Sequence, residues 1–235
     1  MSGLSVAPGV PLLVLGFLLG MKHALDADHV VAISTMATGQ RSLKQSCVVG
    51  VWWGVGHTVV LLVAGLAVLG WHRAMPSDLA RLFEAGVGVM LIGLGLSVGW
   101  TLCRERLHLH VHTHEDGVGH VHAHTHREGQ GPTHVHRYRL AYKSLVVGMM
   151  HGLAGSAALL LLVLSTAPSF TEGMLSILVF GMGSILGMAL LSAVVNLPFV
   201  MAPERLVRTR LALQALAGLA SVSLGGRMVY EFWVM

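Results

Sequence analysis

His23-Ala24-Leu25-Asp26-Ala27-Asp28-His29 sets two imidazoles and two carboxylates within seven residues, directly after Lys22. Imidazole and carboxylate together suit Ni(II), Co(II), Zn(II) and Cu(II), whereas a soft site would call for thiolates. Cys47 and Cys103 stand at the ends of apolar runs, away from this cluster, and form neither a CxxC site nor a disulfide framework. The cluster itself lies inside a stretch that otherwise reads as a membrane-spanning helix. A charged side chain at the bilayer centre costs roughly 2.5–3.5 kcal/mol, so Lys22, Asp26 and Asp28 would together cost on the order of 9 kcal/mol if left unpaired. A divalent cation is the partner that offsets this cost.

Helical geometry limits how these groups can act together. At about 100° per residue His23, Asp26 and His29 share one face, while Asp28 lies elsewhere. The two histidines are about 9 Å apart along a regular helix, too far to share one ion through bonds of about 2.1 Å. Either the helix unwinds here, for which Gly16 and Gly20 upstream offer the freedom, or two groups act together while the third orients them or forms a second station. Asp28 is suited to accept an N–H from a histidine and so fix its tautomer, and Lys22 to act as a local counter-ion. His57 and His151 fall at the same depth as His23 in their own apolar runs and are candidates for the same site. The alternative for these two is hydrogen bonding across a helix interface.

The chain that must position these residues has 235 of them, 54% hydrophobic and 11% charged, with a mean hydropathy of +0.71. That balance describes an all-α integral membrane protein. No cleavable signal is expected, since the first twenty residues lack a Lys or Arg region. Six segments have the roughly 20 apolar residues that a helical span needs: Pro8 to Met36, Ser46 to Trp71, Leu79 to Leu102, Leu140 to Ala167, Gly173 to Met201 and Leu211 to Trp233. The chain therefore divides into a first transmembrane half (1–102), a polar loop (103–139) and a second transmembrane half (140–235).

Eleven Lys and Arg fall on the side of that loop, including Arg41, Lys44, Arg104, Arg106, Arg205 and Arg208, against Arg73, Arg81 and Arg227 opposite. The positive-inside rule then predicts a cytoplasmic loop and both termini outside, in the cell membrane. The net charge of +4 follows from such basic loops and does not indicate nucleic acid. Gly20-Met21-Lys22-His23-Ala24-Leu25 recurs as Gly148-Met149-Met150-His151-Gly152-Leu153, and Gly54-Val55-Gly56-His57 more weakly as Gly181-Met182-Gly183-Ser184, at nearly equal offsets. Two halves of three spans each would be inverted repeats, as in many secondary transporters with a site near the midplane.

Ten of the fifteen histidines are in or beside the loop: His108, His110, His112, His114, His120, His122, His124, His126, His134 and His136. A tract of this composition binds borderline metals multiply and weakly. With five interrupting Gly and Pro it is expected to be disordered without metal.

Lys22-His23-Ala24-Leu25-Asp26-Ala27-Asp28-His29-Val30 resembles the signature of the nickel/cobalt transporter family, in which a basic residue precedes His-Ala-x-Asp-Ala-Asp-His on the second helix. Gly56-His57-Thr58-Val59-Val60 resembles that family's next helix motif. The resemblance spans roughly residues 20 to 60. It implies that His23, Asp28 and His29 handle the metal, with His57 contributing. The family typically has eight helices with the signature in the second, so this chain resembles its short, six-helix members, some of them described as urease-accessory transmembrane proteins. The second half, reading Gly148-Met149-Met150-His151-Gly152-Leu153, lacks the acidic motifs expected of the long members.

The resulting expectation is transport of Ni(II) or Co(II) as substrate, with uptake favoured over efflux, no resident cofactor, and a cytoplasmic metallochaperone as a possible recipient. The signature resembles importers, while the His-rich loop is more like that of efflux relatives. No Walker motif accompanies it. An intramembrane zinc hydrolase is the rival from another class, but HExxH is absent and no Glu lies near the cluster to serve as base.

Overall fold

Long apolar runs punctuated by glycine fold here into helices that cross one another at the glycines. A computed structural model describes residues 9–37, 40, 42–71, 76–104, 108–113, 119–124, 133–152, 154, 167, 169–201 and 207–234. These hold α1 (Gly9–His23), α2 (Ala27–Ala37), α3 (Leu43–Trp71), α4 (Ser77–Arg104), β1 (His108–Thr113), β2 (Gly119–His124), α5 (Thr133–His151), α6 (Phe170–Met201) and α7 (Val207–Val234). By length and composition α3, α4, α6 and α7 can each cross a membrane, matching the second, third, fifth and sixth expected spans.

The first expected span is two helices rather than one. Leu25 N–H donates to Lys22 O at 2.9 Å and Asp26 N–H to His23 O at 3.0 Å, tight turns that close α1. The Asp26 carbonyl then accepts from Val30 N–H at 2.9 Å, which makes Asp26 the N-cap of α2, a position that favours Asp. Asp28 falls in the first turn of α2, where the helix dipole favours a carboxylate. The break lies at 24–26, and not at Gly16 or Gly20, which are both inside α1. Gly20 has a packing role instead: a Cβ there would collide with the Phe180 carbonyl of α6.

Other glycines set the remaining crossings. Gly183 of α6 packs on the α1 backbone at Phe17 and Met21, Gly56 of α3 on α5 at Leu145 and Met149, and Gly148 of α5 on Trp53 of α3. Gly50 and Gly54 of α3 meet Met188 and Ile185 of α6, so these two helices run antiparallel. Gly88 and Gly95 of α4 lie on the Gly225 and Gly218 carbonyls of α7. Small residues let backbones approach in this way, which is how helices associate where lipid removes the hydrophobic drive between them.

Two apolar clusters fill the interior. One gathers Ala24, Ile33, Val49, Trp53, Leu91, Val147 and Met188, and the other Leu61, Ala64, Val68, Ile177 and Phe180.

The fourth expected span enters as α5, which starts at Thr133 and ends at His151; most of its expected continuation to Ala167 lies outside the described residues. Within the polar loop β1 and β2 pair antiparallel, with His108 opposite His124, His110 opposite His122 and His112 opposite His120. His114 and His126 lie outside the described residues, and His134 and His136 are in the first turn of α5.

Candidate metal centre

The break between α1 and α2 resolves the geometric conflict in the signature. His23 ends α1 and His29 sits in the first turn of α2, and their ring centroids are 4.5 Å apart, half the spacing of a continuous helix. His57 of α3 completes the group, with its ring 5.0 Å from that of His23 and 5.5 Å from that of His29. One nitrogen from each of these three residues can be chosen so that all lie within 4.8 Å of one another. All three are buried. Such a span is compatible with a single ion after small rotamer adjustments.

The carboxylates hold the rings. His23 Nδ1 donates to Asp26 Oδ2 at 2.7 Å and His29 Nδ1 donates to Asp28 Oδ1 at 3.1 Å. With its proton on Nδ1, His29 can offer the Nε2 lone pair to a metal, the carboxylate–histidine arrangement common around bound ions. His29 Nε2 and both nitrogens of His57 are buried without any hydrogen-bond partner among the described residues. Leaving such groups bare normally costs about 1–3 kcal/mol each, and an ion would recover that cost. The carboxylates also form a second group, because Asp26, Asp28 and His29 can likewise offer atoms within 4.8 Å of one another. This group is more open: Asp26 is 48% and Asp28 23% exposed.

His151, at the end of α5, comes to the same place. Its ring is 4.9 Å from that of His29, its Nε2 is 3.7 Å from Asp28 Oδ2, and its Nδ1 lies 3.3 Å from the Val147 carbonyl. All six residues singled out in the sequence therefore meet: His23, Asp26, Asp28, His29, His57 and His151. His151 stands beside the two triads rather than within either one. Lys22 is exposed and does not join the cluster's ion pairs among the described residues.

Trp53 is the residue that sequence reasoning missed. Its buried indole lies 6.0 Å from the His29 ring and 4.9 Å from that of His151, closing one wall. Phe180 covers His23 at 5.5 Å. The available signal for Trp53 was its place one helical turn before His57 on α3.

Comparison with known proteins agrees with this chemistry. The family described as NicO, high-affinity nickel-transport protein, matches residues 10–223. The urease accessory protein UreH of Bacillus sp. (strain TB-90) is 35% identical over 227 residues, covering 95% of this chain and 92% of that protein. The high-affinity nickel transport protein of Cupriavidus necator is 31% identical over 83 residues, 33% of this chain and 22% of the relative. The cobalt transport protein NhlF of Rhodococcus rhodochrous is 34% identical over 79 residues, 31% of this chain and 21% of the relative. No solved structure matches the chain. A family match over most of the length, set on several membrane-length apolar helices, makes this a multi-pass membrane protein of the NicO family, a family of nickel and cobalt transporters rather than enzymes.

Proposed function

We propose that this chain carries Ni(II), or Co(II), across the cell membrane as its substrate, in the direction of uptake. The observation that carries this reading is the broken first span, which brings buried His23, His29 and His57 from three helices around one point in a chain of membrane-spanning helices. Asp26, Asp28 and His29 form the outer station, where carboxylates draw in the cation. His23, His29 and His57 form the inner one, where imidazoles hold it. His29 belongs to both and hands the ion over, while His151 and Asp28 flank the transfer.

In this reading the first and second halves are inverted repeats of three spans each, with both termini outside and the loop in the cytoplasm. The glycine crossings support the repeat: Gly20 on Phe180 and Gly183 on Met21 recur as Gly148 on Trp53 and Gly56 on Met149, with the partners exchanged between halves. The histidine ribbon collects the arriving ion on the cytoplasmic side and passes it to a metallochaperone. Its register supports such a role, since His108, His110 and His112 pair with His124, His122 and His120 across the two strands.

Radioactive nickel flux into proteoliposomes of known protein orientation tests the reading. The wild type is expected to accumulate nickel, His23→Ala to abolish flux at equal protein level, and deletion of 105–132 only to slow it. Tight nickel binding without flux in the wild type would overturn transport.

A further inference from the structure

α6 carries a row of buried side chains that the metal centre does not use. Ser184, Met188, Ser192 and Asn196 follow one another at steps of four along one face, and all four are fully buried. Ser184 Oγ donates to the Gly20 carbonyl of α1, at the level of the histidines. Asn196 Nδ2 donates to the Gln40 carbonyl at 3.1 Å, just beyond the end of α2. From Ser184 to Asn196 is about 18 Å along the helix axis, a little more than half of a hydrocarbon core of about 30 Å. The row therefore runs from the metal centre to the membrane face where α2 ends and α3 begins.

Polar residues in membrane helices commonly serve as glue between helices, and Ser184 and the Asn196 amide nitrogen do so here. Ser192 Oγ and Asn196 Oδ1 do not. Both are buried with no hydrogen-bond partner among the described residues. Ser34, Thr58, Ser144 and Ser176 each return their hydroxyl to the carbonyl four residues back. For Ser192 that acceptor would be the Met188 carbonyl, which Gly50 of α3 covers. The antiparallel register set by Gly50 on Met188 also brings Ser46, another buried serine, to the level of Ser192. On the opposite half of α6, Ile177 and Phe180 are buried in one cluster with Leu61, Ala64 and Val68. Beyond Ser184, the buried polar side chains of α6 thus lie toward the α2–α3 face, with Met188 and Phe199 among them.

Building on the transport reading, we infer that the Ser192 hydroxyl and the Asn196 amide oxygen line the passage by which the divalent ion travels between the histidine centre and the α2–α3 face, replacing part of its water shell. Neutral oxygen ligands suit that task because they bind such an ion weakly and release it. Met188, between the histidines and Ser192, closes the passage in the state seen here.

The test uses the full chain with Cys47→Ser and Cys103→Ser, reconstituted in vesicles, and has two readouts. Cysteines introduced singly at Ser192, Asn196, Ile177 and Val194 are exposed to a charged, membrane-impermeant thiol reagent at the α2–α3 face. Positions 192 and 196 are expected to react, while Ile177→Cys on the opposite half and Val194→Cys on the outward face of α6 stay unreactive. Reaction at 192 and 196 no faster than at 194 would overturn the passage. Separately, Ser192→Ala with Asn196→Leu is expected to slow nickel flux by about tenfold or more while nickel binding to the histidine centre stays within about twofold. Unchanged flux would also overturn it. Labelling does not depend on flux, so a wild type that moves no nickel defeats the transport reading while the cysteine pattern still decides the passage.

Discussion

Asp26 does two jobs with different atoms: its backbone carbonyl starts α2, and its carboxylate holds the His23 ring through Nδ1. Asn substitutes well at an N-cap but gives His23 a neutral partner in place of a charged acceptor. Asp26→Asn is therefore expected to leave the fold and expression intact and to weaken nickel binding by about 10–100-fold, the usual effect of losing such a supporting group. Equilibrium dialysis with nickel on purified protein measures this, and unaltered affinity would remove Asp26 from the centre's support. At this scale the sequence was informative about identity and less so about arrangement. Residue types alone singled out all six members of the cluster. The 9 Å conflict between His23 and His29 also showed that a regular helix could not serve. That the chain resolves the conflict by breaking at 24–26 depended on the capping chemistry of Asp26, a local signal that was present but outweighed by the glycines upstream. Trp53 was hidden because a tryptophan in an apolar helix reads as packing until its neighbours are known.

Helices here are positioned by bare backbone contacts, and these contacts make the elements unequal in their tolerance. Gly148 lies against the Trp53 carbonyl on the helix that also carries His57. Gly148→Leu must push α5 from α3, displacing Trp53 and His151 together. We expect it to lower stability by about 1–3 kcal/mol, as overpacking commonly does, and to reduce nickel binding with it. Gly16, also in a helix, has nothing within 4 Å of an added Cβ. Gly16→Ala should be neutral or mildly stabilising, because glycine costs a helix roughly 0.5–1 kcal/mol relative to alanine. Thermal unfolding in detergent compares the two, and equal effects would show that the crossings do not govern stability. Apolar length identified α3, α4, α6 and α7 from sequence. It could not separate α1 from α2, because hydropathy averages across a three-residue break.

On the scale of the molecule, charge and the buried polar residues of α6 point the same way. The face that collects most Lys and Arg is the face toward which Ser46, Ser192 and Asn196 lead. If that face is cytoplasmic, Cys103, exposed near the end of α4, should react with an impermeant thiol reagent in inside-out vesicles and remain protected in sealed cells, in a Cys47→Ser background. Labelling in intact cells would reverse the orientation and, with it, the sense of uptake. The loops carry an expectation of sidedness that the labelling tests, whereas the polar row of α6 was not legible in the sequence, since serines four residues apart in a glycine-rich helix are equally consistent with glue. The shared position of His29 has a consequence for turnover. In the proposed transport cycle His29, with Nδ1 held by Asp28, has one nitrogen to share between the outer and inner stations, so occupancy of one would exclude occupancy of the other and each ion would clear before the next is accepted. Flux should accordingly rise with nickel concentration along a simple saturation curve, with no cooperativity between ions.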